Sequence, residues 1–276
     1  MFGIGGWVKT RIASARLRAS DWRLGRSDPD ALDYFQRLSV ESYDPDYFVH
    51  IFGQFKTIYV EVPKAASTTV LATFAEAMSG RTFDNVDIVH KRKVTGLTGP
   101  REIGLGPFHQ MVKARDFRSF TFVRNPYRRL VSCWVDKVAV TSVGRNGLVV
   151  RQLLALPEAS GLKLDPAQPV PFPVFVDLAC ASARSRLNGH WNLMSDIIPR
   201  LLLPVDFIGK VEALQSDLPK ALEMAGIAGR AKIQSMNVKR SEKQGDLLTP
   251  ELAAKIYRGY EEDFDRFGYS REWQPG

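Results

Sequence analysis

The sequence predicts an α/β fold, a central parallel sheet flanked by helices, and three observations carry that expectation. Segments 57–62 and 119–123 are runs of mainly β-branched and aromatic residues, the composition of strands covered on both faces. Each is followed within a few residues by apolar positions recurring at three- and four-residue spacing, which lets one stripe of a helix pack on a sheet. A third strand candidate, Val205 to Ile208, again precedes a helical pattern. Strands alternating with helices in this way argue for parallel pairing through crossover helices.

Taken in order, residues 1–26 form a basic arm. Lys9, Arg11, Arg16, Arg18, Arg23 and Arg26 face a single acid, Asp21, and Ile4, Val8 and Ile12 fall at helical spacing. A solvated arm is the simplest expectation, with a membrane-surface helix or a targeting segment as alternatives. One domain is expected over residues 27–276, since 45% apolar content is ample for a core. Residues 27–56, with the turn signals Ser27-Asp28-Pro29 and Asp44-Pro45, read as an irregular flap or edge.

The strand at 57–62 is stopped by Pro63, and a helix begins near Ser67 with Val70, Leu71, Phe74, Ala75 and Met78 on its apolar stripe. Gly80 closes it. Between strand and helix lies PKAAST: a lysine, small residues that allow close backbone approach, and hydroxyls at a helix N-terminus. Unpaired N–H groups and the helix dipole make that position an anion site. Residues 81–107 are loop-rich. After the strand at 119–123, Asn125 can cap a helix and Pro126 can occupy its first turn. Leu130, Val131, Trp134, Val135 and Val138 form the stripe of that helix, which places Arg124 at a strand end and Ser132 about two turns in. Ligands of open α/β sheets bind outside the carboxyl ends of the strands, so these two units suggest one ligand with phosphates at two places. Further helices are expected near Leu148 to Leu156, Pro173 to Ala183, Ser216 to Ala225 and from Thr249-Pro250 onward, with Asn188-Gly189-His190-Trp191 as a turn and 233–245 as a basic loop.

The net charge of +8 and pI near 9.5 imply an anionic partner: a nucleotide, an acidic polysaccharide, nucleic acid or a membrane surface. Basic residues lie mainly beside the strand ends rather than interleaved with exposed aromatics, which argues against specific nucleic-acid binding. Cys133 and Cys180 are far apart in apolar surroundings, so neither a disulfide framework nor a cysteine zinc site is expected, and a reducing, cytoplasmic setting is. No apolar run reaches the roughly 18 residues of a transmembrane helix. Peripheral membrane contact through the arm stays open, as does oligomeric state. No Walker A pattern and no carboxylate-rich metal cluster is present, so a kinase is a weak reading and no metal is expected.

Five stretches together resemble the sulfotransferases that use 3′-phosphoadenosine-5′-phosphosulfate (PAPS), particularly the family 2 carbohydrate enzymes of chondroitin 4-O-sulfotransferase type. Val62-Pro63-Lys64-Ala65-Ala66-Ser67-Thr68-Thr69 looks like the 5′-phosphosulfate loop of that family, and Phe122 to Ser132 (FVRNPYRRLVS) like its 3′-phosphate motif. His190-Trp191, Asp206 to Glu212 (DFIGKVE) and Tyr260 to Tyr269 (YEEDFDRFGY) are similar to later segments in the same order. The resemblance implies a P-loop-like sheet (the sulfotransferase fold), PAPS as co-substrate with PAP as product, a carbohydrate hydroxyl as acceptor, and a soluble form such as a bacterial one. Ala66 departs from the glycine usual in the cytosolic relatives.

By the same resemblance, Lys64 stabilises the leaving phosphate; Pro63, Ala65, Ala66, Ser67, Thr68 and Thr69 cradle the 5′ side; Arg124 and Ser132 hold the 3′-phosphate; and Lys239 and Arg240 close over the nucleotide. Guanidinium geometry suits phosphate recognition. His109 is the first choice of base, since a histidine titrates near working pH and its position is similar to the active-site histidine of uronosyl 2-O-sulfotransferases. His190 is expected to touch the acceptor, and Glu212 is a substrate contact or fallback base. The plain alternatives are a solvated Lys64, a capping Ser67, a surface ion pair for Arg124 and packing roles for His109 and His190. The alternative function is a non-catalytic polyanion-binding module.

Overall fold

The computed structural model describes residues 28–83, 85–139, 147–163, 168–230, 232–233 and 247–273. The arm at 1–26 and the pair Lys239 and Arg240 lie outside them. Helix α1 (Pro29–Glu41) comes first, then strand β1 (Val49–Phe52) and β2 (Thr57–Val60), α2 (Ser67–Ser79), α3 (Leu105–Ala114), β3 (Arg118–Val123) and α4 (Pro126–Cys133). After these come α5 (Gly147–Leu154), α6 (Phe172–Ala181), β4 (Phe207–Lys210), α7 (Leu214–Met224) and α8 (Pro250–Phe267).

The four strands form one sheet in the order β1-β2-β3-β4. β2, β3 and β4 are parallel, with Thr57 opposite Arg118 and Phe120 opposite Phe207, while β1 adds an antiparallel edge that pairs Val49 with Val60. Alternate residues supply the two faces. Tyr59, Phe120 and Phe122 pack with Val70, Leu71 and Phe74 of α2 and Leu218 of α7 on one side. Ile58 and Val60 pack with Tyr34 and Leu38 of α1 and Phe108 and Val112 of α3 on the other. A third cluster beyond the sheet gathers Leu130, Leu153, Phe175, Trp191, Ile256 and Phe264, and so joins α4, α5, α6 and α8. No helix among the described residues is long and apolar enough to cross a membrane.

The flap expected at 27–56 is instead largely ordered secondary structure. The Asp28 carboxylate accepts from the Ala31 N–H at 3.0 Å and Pro29 fills the first turn of α1, whose Ala31, Tyr34, Phe35 and Leu38 are buried. Short helical turns at Val86–Val89, Arg92–Thr95 and Pro100–Ile103 punctuate the region expected to be loop-rich.

Candidate active site

Parallel strands place their carboxyl ends on one edge, and the loops after β2, β3 and β4 converge there. The chain leaves β2 through Glu61 and turns into α2 with both Lys64 (φ 69°) and Ala66 (φ 60°) in the left-handed region. Each such non-glycine residue costs about 1–2 kcal/mol, and strain of this kind collects at ligand sites. Ala66 is the N-cap of α2 and has no side-chain acceptor for the first N–H groups, which therefore stay oriented toward an incoming anion. The family departure at Ala66 thus falls at a backbone conformation that favours glycine.

Lys64 is largely enclosed, with 15% of its side chain exposed, and its Nζ donates to Asp136 Oδ2 at 2.9 Å. Burial lowers the affinity of that ammonium for its proton, and Asp136 opposes the shift. Lys137 reaches the same carboxylate oxygen at 3.0 Å. Burial would raise the Asp136 carboxyl, but the two lysines outweigh it and hold the group at about 2. Asp136 comes from a π-helical segment, Trp134–Val138, that continues α4. No sequence signal announces that segment, and Asp136 was not expected at the site.

Asn125 caps α4 as expected, accepting from Tyr127 N at 3.0 Å. Arg124 Nη1 donates to the Lys64 carbonyl at 3.3 Å, so the two predicted phosphate contacts meet across one hydrogen bond. Ser132 is half-buried on α4. Glu212, just past β4, accepts from Asn125 N at 2.9 Å and from the Tyr269 hydroxyl at 3.0 Å. Each of its oxygens thus accepts one bond that braces the edge.

His190 lies beside the Lys64 loop because Arg129 ties the two segments together. Arg129 is 1% exposed; its guanidinium donates to the carbonyls of Pro63 (3.1 Å), Asn192 (2.7 Å) and Gly189 (2.6 Å). Arg129 shares a helical face with Cys133 and Pro126, so a charge within a buried stripe was the signal available in the sequence. Trp191 faces the core, fully buried, with its Nε1 donating to Ser182 Oγ at 3.0 Å. His109 goes elsewhere: its ring stacks on Tyr34 at 4.7 Å, on the sheet face held by α1 and α3. None of its contacts among the described residues reaches the loop.

Behind the loop, Glu61 is buried between two imidazoles. His50 Nε2 lies 2.7 Å from Glu61 Oε2, His90 Nδ1 lies 3.7 Å from Oε1, and His90 Nε2 lies 3.2 Å from the Thr68 hydroxyl. Arg92 Nε donates to His50 Nδ1 at 3.4 Å, so a neutral ring carries its proton on Nε2 and donates it to Glu61. Burial favours that neutral His50. Burial alone would raise the Glu61 carboxyl, but the His50 and Ser67 hydrogen bonds help to hold it below the usual range. Ser67 is thus engaged with Glu61, Thr69 is buried, and Thr68 is the partly open hydroxyl of the three.

A family model for the sulfotransferase family matches residues 49–270, which include β1 to β4 and all of the site just described. The chain belongs to the sulfotransferase family. This sulfotransferase-family chain is 25% identical over 232 residues to carbohydrate sulfotransferase 8 of Mus musculus, an alignment covering 78% of this chain and 55% of that protein. It is 24% identical over 172 residues to carbohydrate sulfotransferase 11 of Mus musculus, covering 57% and 48% respectively. With carbohydrate sulfotransferase 12 of Mus musculus the identity is 26% over 243 residues, covering 78% and 58%. The chain spans about half the length of these curated relatives. No solved structure gave a significant match.

Proposed function

We propose that the protein transfers the sulfuryl group of PAPS to a carbohydrate hydroxyl by in-line displacement. The observation that carries this reading is the meeting of Lys64 and Arg124, from two different strand ends, on one edge of the parallel sheet. An anionic donor with phosphates at two places suits that pair. As the acceptor oxygen bonds to sulfur, the S–O bond to the 5′-phosphate breaks and PAP leaves with the electron pair. Lys64 stabilises the charge that develops on the leaving oxygen, a role for which an enclosed, pre-oriented cation is effective. Before the donor arrives, Asp136 keeps the ammonium in place.

Arg124 and Ser132 take the 3′-phosphate, and the Thr68 hydroxyl takes the 5′ side with the first N–H groups of α2, those of Ser67 and Thr69 among them. Lys239 and Arg240 complete the nucleotide site. The chondroitin 4-O-type resemblance and the +8 charge make an acidic glycan the first acceptor to test. A histidine takes the acceptor proton.

Incubation with sulfur-labelled PAPS and a glycan panel is expected to label an acceptor. Lys64→Ala should lower the labelling by about 100- to 1,000-fold, the usual loss when one charge-stabilising donor is removed. A Lys64→Ala protein that transfers sulfate at the wild-type rate would sink the assignment.

A further inference from the structure

Which histidine takes the proton follows from the hydrogen bonds around His190, an inference that rests on the sulfuryl-transfer reading. Asn188 Oδ1 accepts from the His190 backbone N–H at 3.0 Å, and Asn188 Nδ2 donates to Gln152 Oε1 at 2.7 Å. These two contacts fix which way the Asn188 amide points. The ring atom Nδ1 of His190 stands 2.7 Å from the same Oδ1, and an amide oxygen only accepts, so Nδ1 carries the proton. The lone pair is then on Nε2, which has no hydrogen-bond partner among the described residues.

The geometry points to His190 Nε2 as the atom that takes the proton of the acceptor hydroxyl, with Asn188 and Gln152 as positioning residues that hold the ring in that tautomer. The Asn188-to-Asn192 turn is itself fixed. Asn192 Oδ1 accepts from Asn188 N at 2.7 Å, and Arg129 binds the Gly189 and Asn192 carbonyls together with that of Pro63, next to Lys64. In the transfer, the O–H bond breaks toward Nε2, the freed oxygen pair bonds to sulfur, and the S–O pair leaves with PAP beside Lys64. The imidazolium returns its proton to solvent.

The charges facing the ring are Lys137, Lys64 and Arg129, partly offset by Asp136. Together with burial, which is the larger cause, they push the imidazole down to about 3, so it enters the reaction unprotonated. An anionic donor placed between the lysines offsets that field and raises the basicity of the ring when it is needed. His109 stacks on Tyr34, and each Glu212 oxygen accepts a bond from Asn125 or Tyr269, so both are held by contacts of a kind that His190 Nε2 lacks.

The test uses the full chain, PAP calorimetry and labelled PAPS with the acceptor found above. His190→Ala should lose about 100-fold or more in kcat while PAP affinity stays within threefold. Asn188→Asp, which sets a carboxylate against Nδ1–H, should move the acidic limb of the kcat–pH profile upward by about one unit or more. Nitrogen-detected NMR of the wild type should show His190 protonated on Nδ1. Turnover by His190→Ala within threefold of wild type, loss of turnover in His109→Ala instead, an unmoved limb in Asn188→Asp, or a proton on Nε2 would each overturn the assignment. Wild-type protein that transfers sulfate to nothing would overturn the sulfuryl-transfer reading first, whatever the tautomer.

Discussion

Glu61 carries a buried negative charge at the end of β2, and donors on several sides stabilise it. His50 and Ser67 hold the carboxylate, and His90 connects it to Thr68 in the first turn of α2. Replacing it with glutamine exchanges charge-assisted hydrogen bonds for neutral ones, at an expected cost of about 1.5–3 kcal/mol by urea unfolding at neutral pH. Its sign with pH is fixed. Because the folded group lies below its ordinary value of 4.5, its contribution is complete above that pH and is lost as pH falls from there toward about 2. His50, lowered from 6.5 by burial, acts in the same direction, its contribution fading as pH falls below 6.5. Glu61→Gln should therefore flatten the acid side of the stability curve, and an unchanged slope would mean the carboxylate is not held as described. The sequence showed Glu61 only as an acid inside an apolar run, and its partners come from β1 and the turn before Arg92, whose pairing no local pattern announces.

At the scale of elements, the strand-loop-helix units were legible because each carries its own punctuation: Pro63 after β2, Asn125-Pro126 before α4, Gly80 after α2. Helix α1 was equally encoded, with Asp28-Pro29 at its start and a buried Ala31, Tyr34, Phe35 and Leu38 at helical spacing, but its turn-like flanks concealed it. The placement of His109 was not legible, because its stacking on Tyr34 requires α1 to pack on α3. The register of β4 rests on a close approach that offers a sharp test. Gly209 lies opposite Phe122, and a Cβ there would stand 2.4 Å from Phe122 Cε1 within a fully buried ring. Gly209→Ala should cost about 1–3 kcal/mol through overpacking, read as a lower midpoint in urea with little change in slope. A midpoint equal to wild type would show that β4 moves freely against β3.

Across the whole molecule, the sheet and the helical cluster beyond it meet around two buried charges. Arg129 bonds Pro63 of the loop and the turn at 189–192 from one side of the chain, and Asp263 of α8 accepts from Met194 N and Ser195 N, each at 2.8 Å, from the other. Burial raises the Asp263 carboxyl, and Arg129 with the two backbone donors resists that shift. The segment 189–195, which includes His190, is thus held between opposite charges that no solvent screens. Lysine cannot replace this arginine, since a single ammonium on a flexible stem does not reproduce a planar fork aimed at three carbonyls. Arg129→Lys should destabilise the fold by about 1–3 kcal/mol, the cost of leaving buried carbonyls without their donor. It should also slow sulfate transfer more than it weakens PAP binding, because two of its three carbonyl partners lie in the turn that carries His190 and only one, Pro63, lies beside Lys64. Urea unfolding and PAP calorimetry on the same preparation test both parts, and a stable Arg129→Lys protein with wild-type turnover would show that the clamp does not set the geometry of the site.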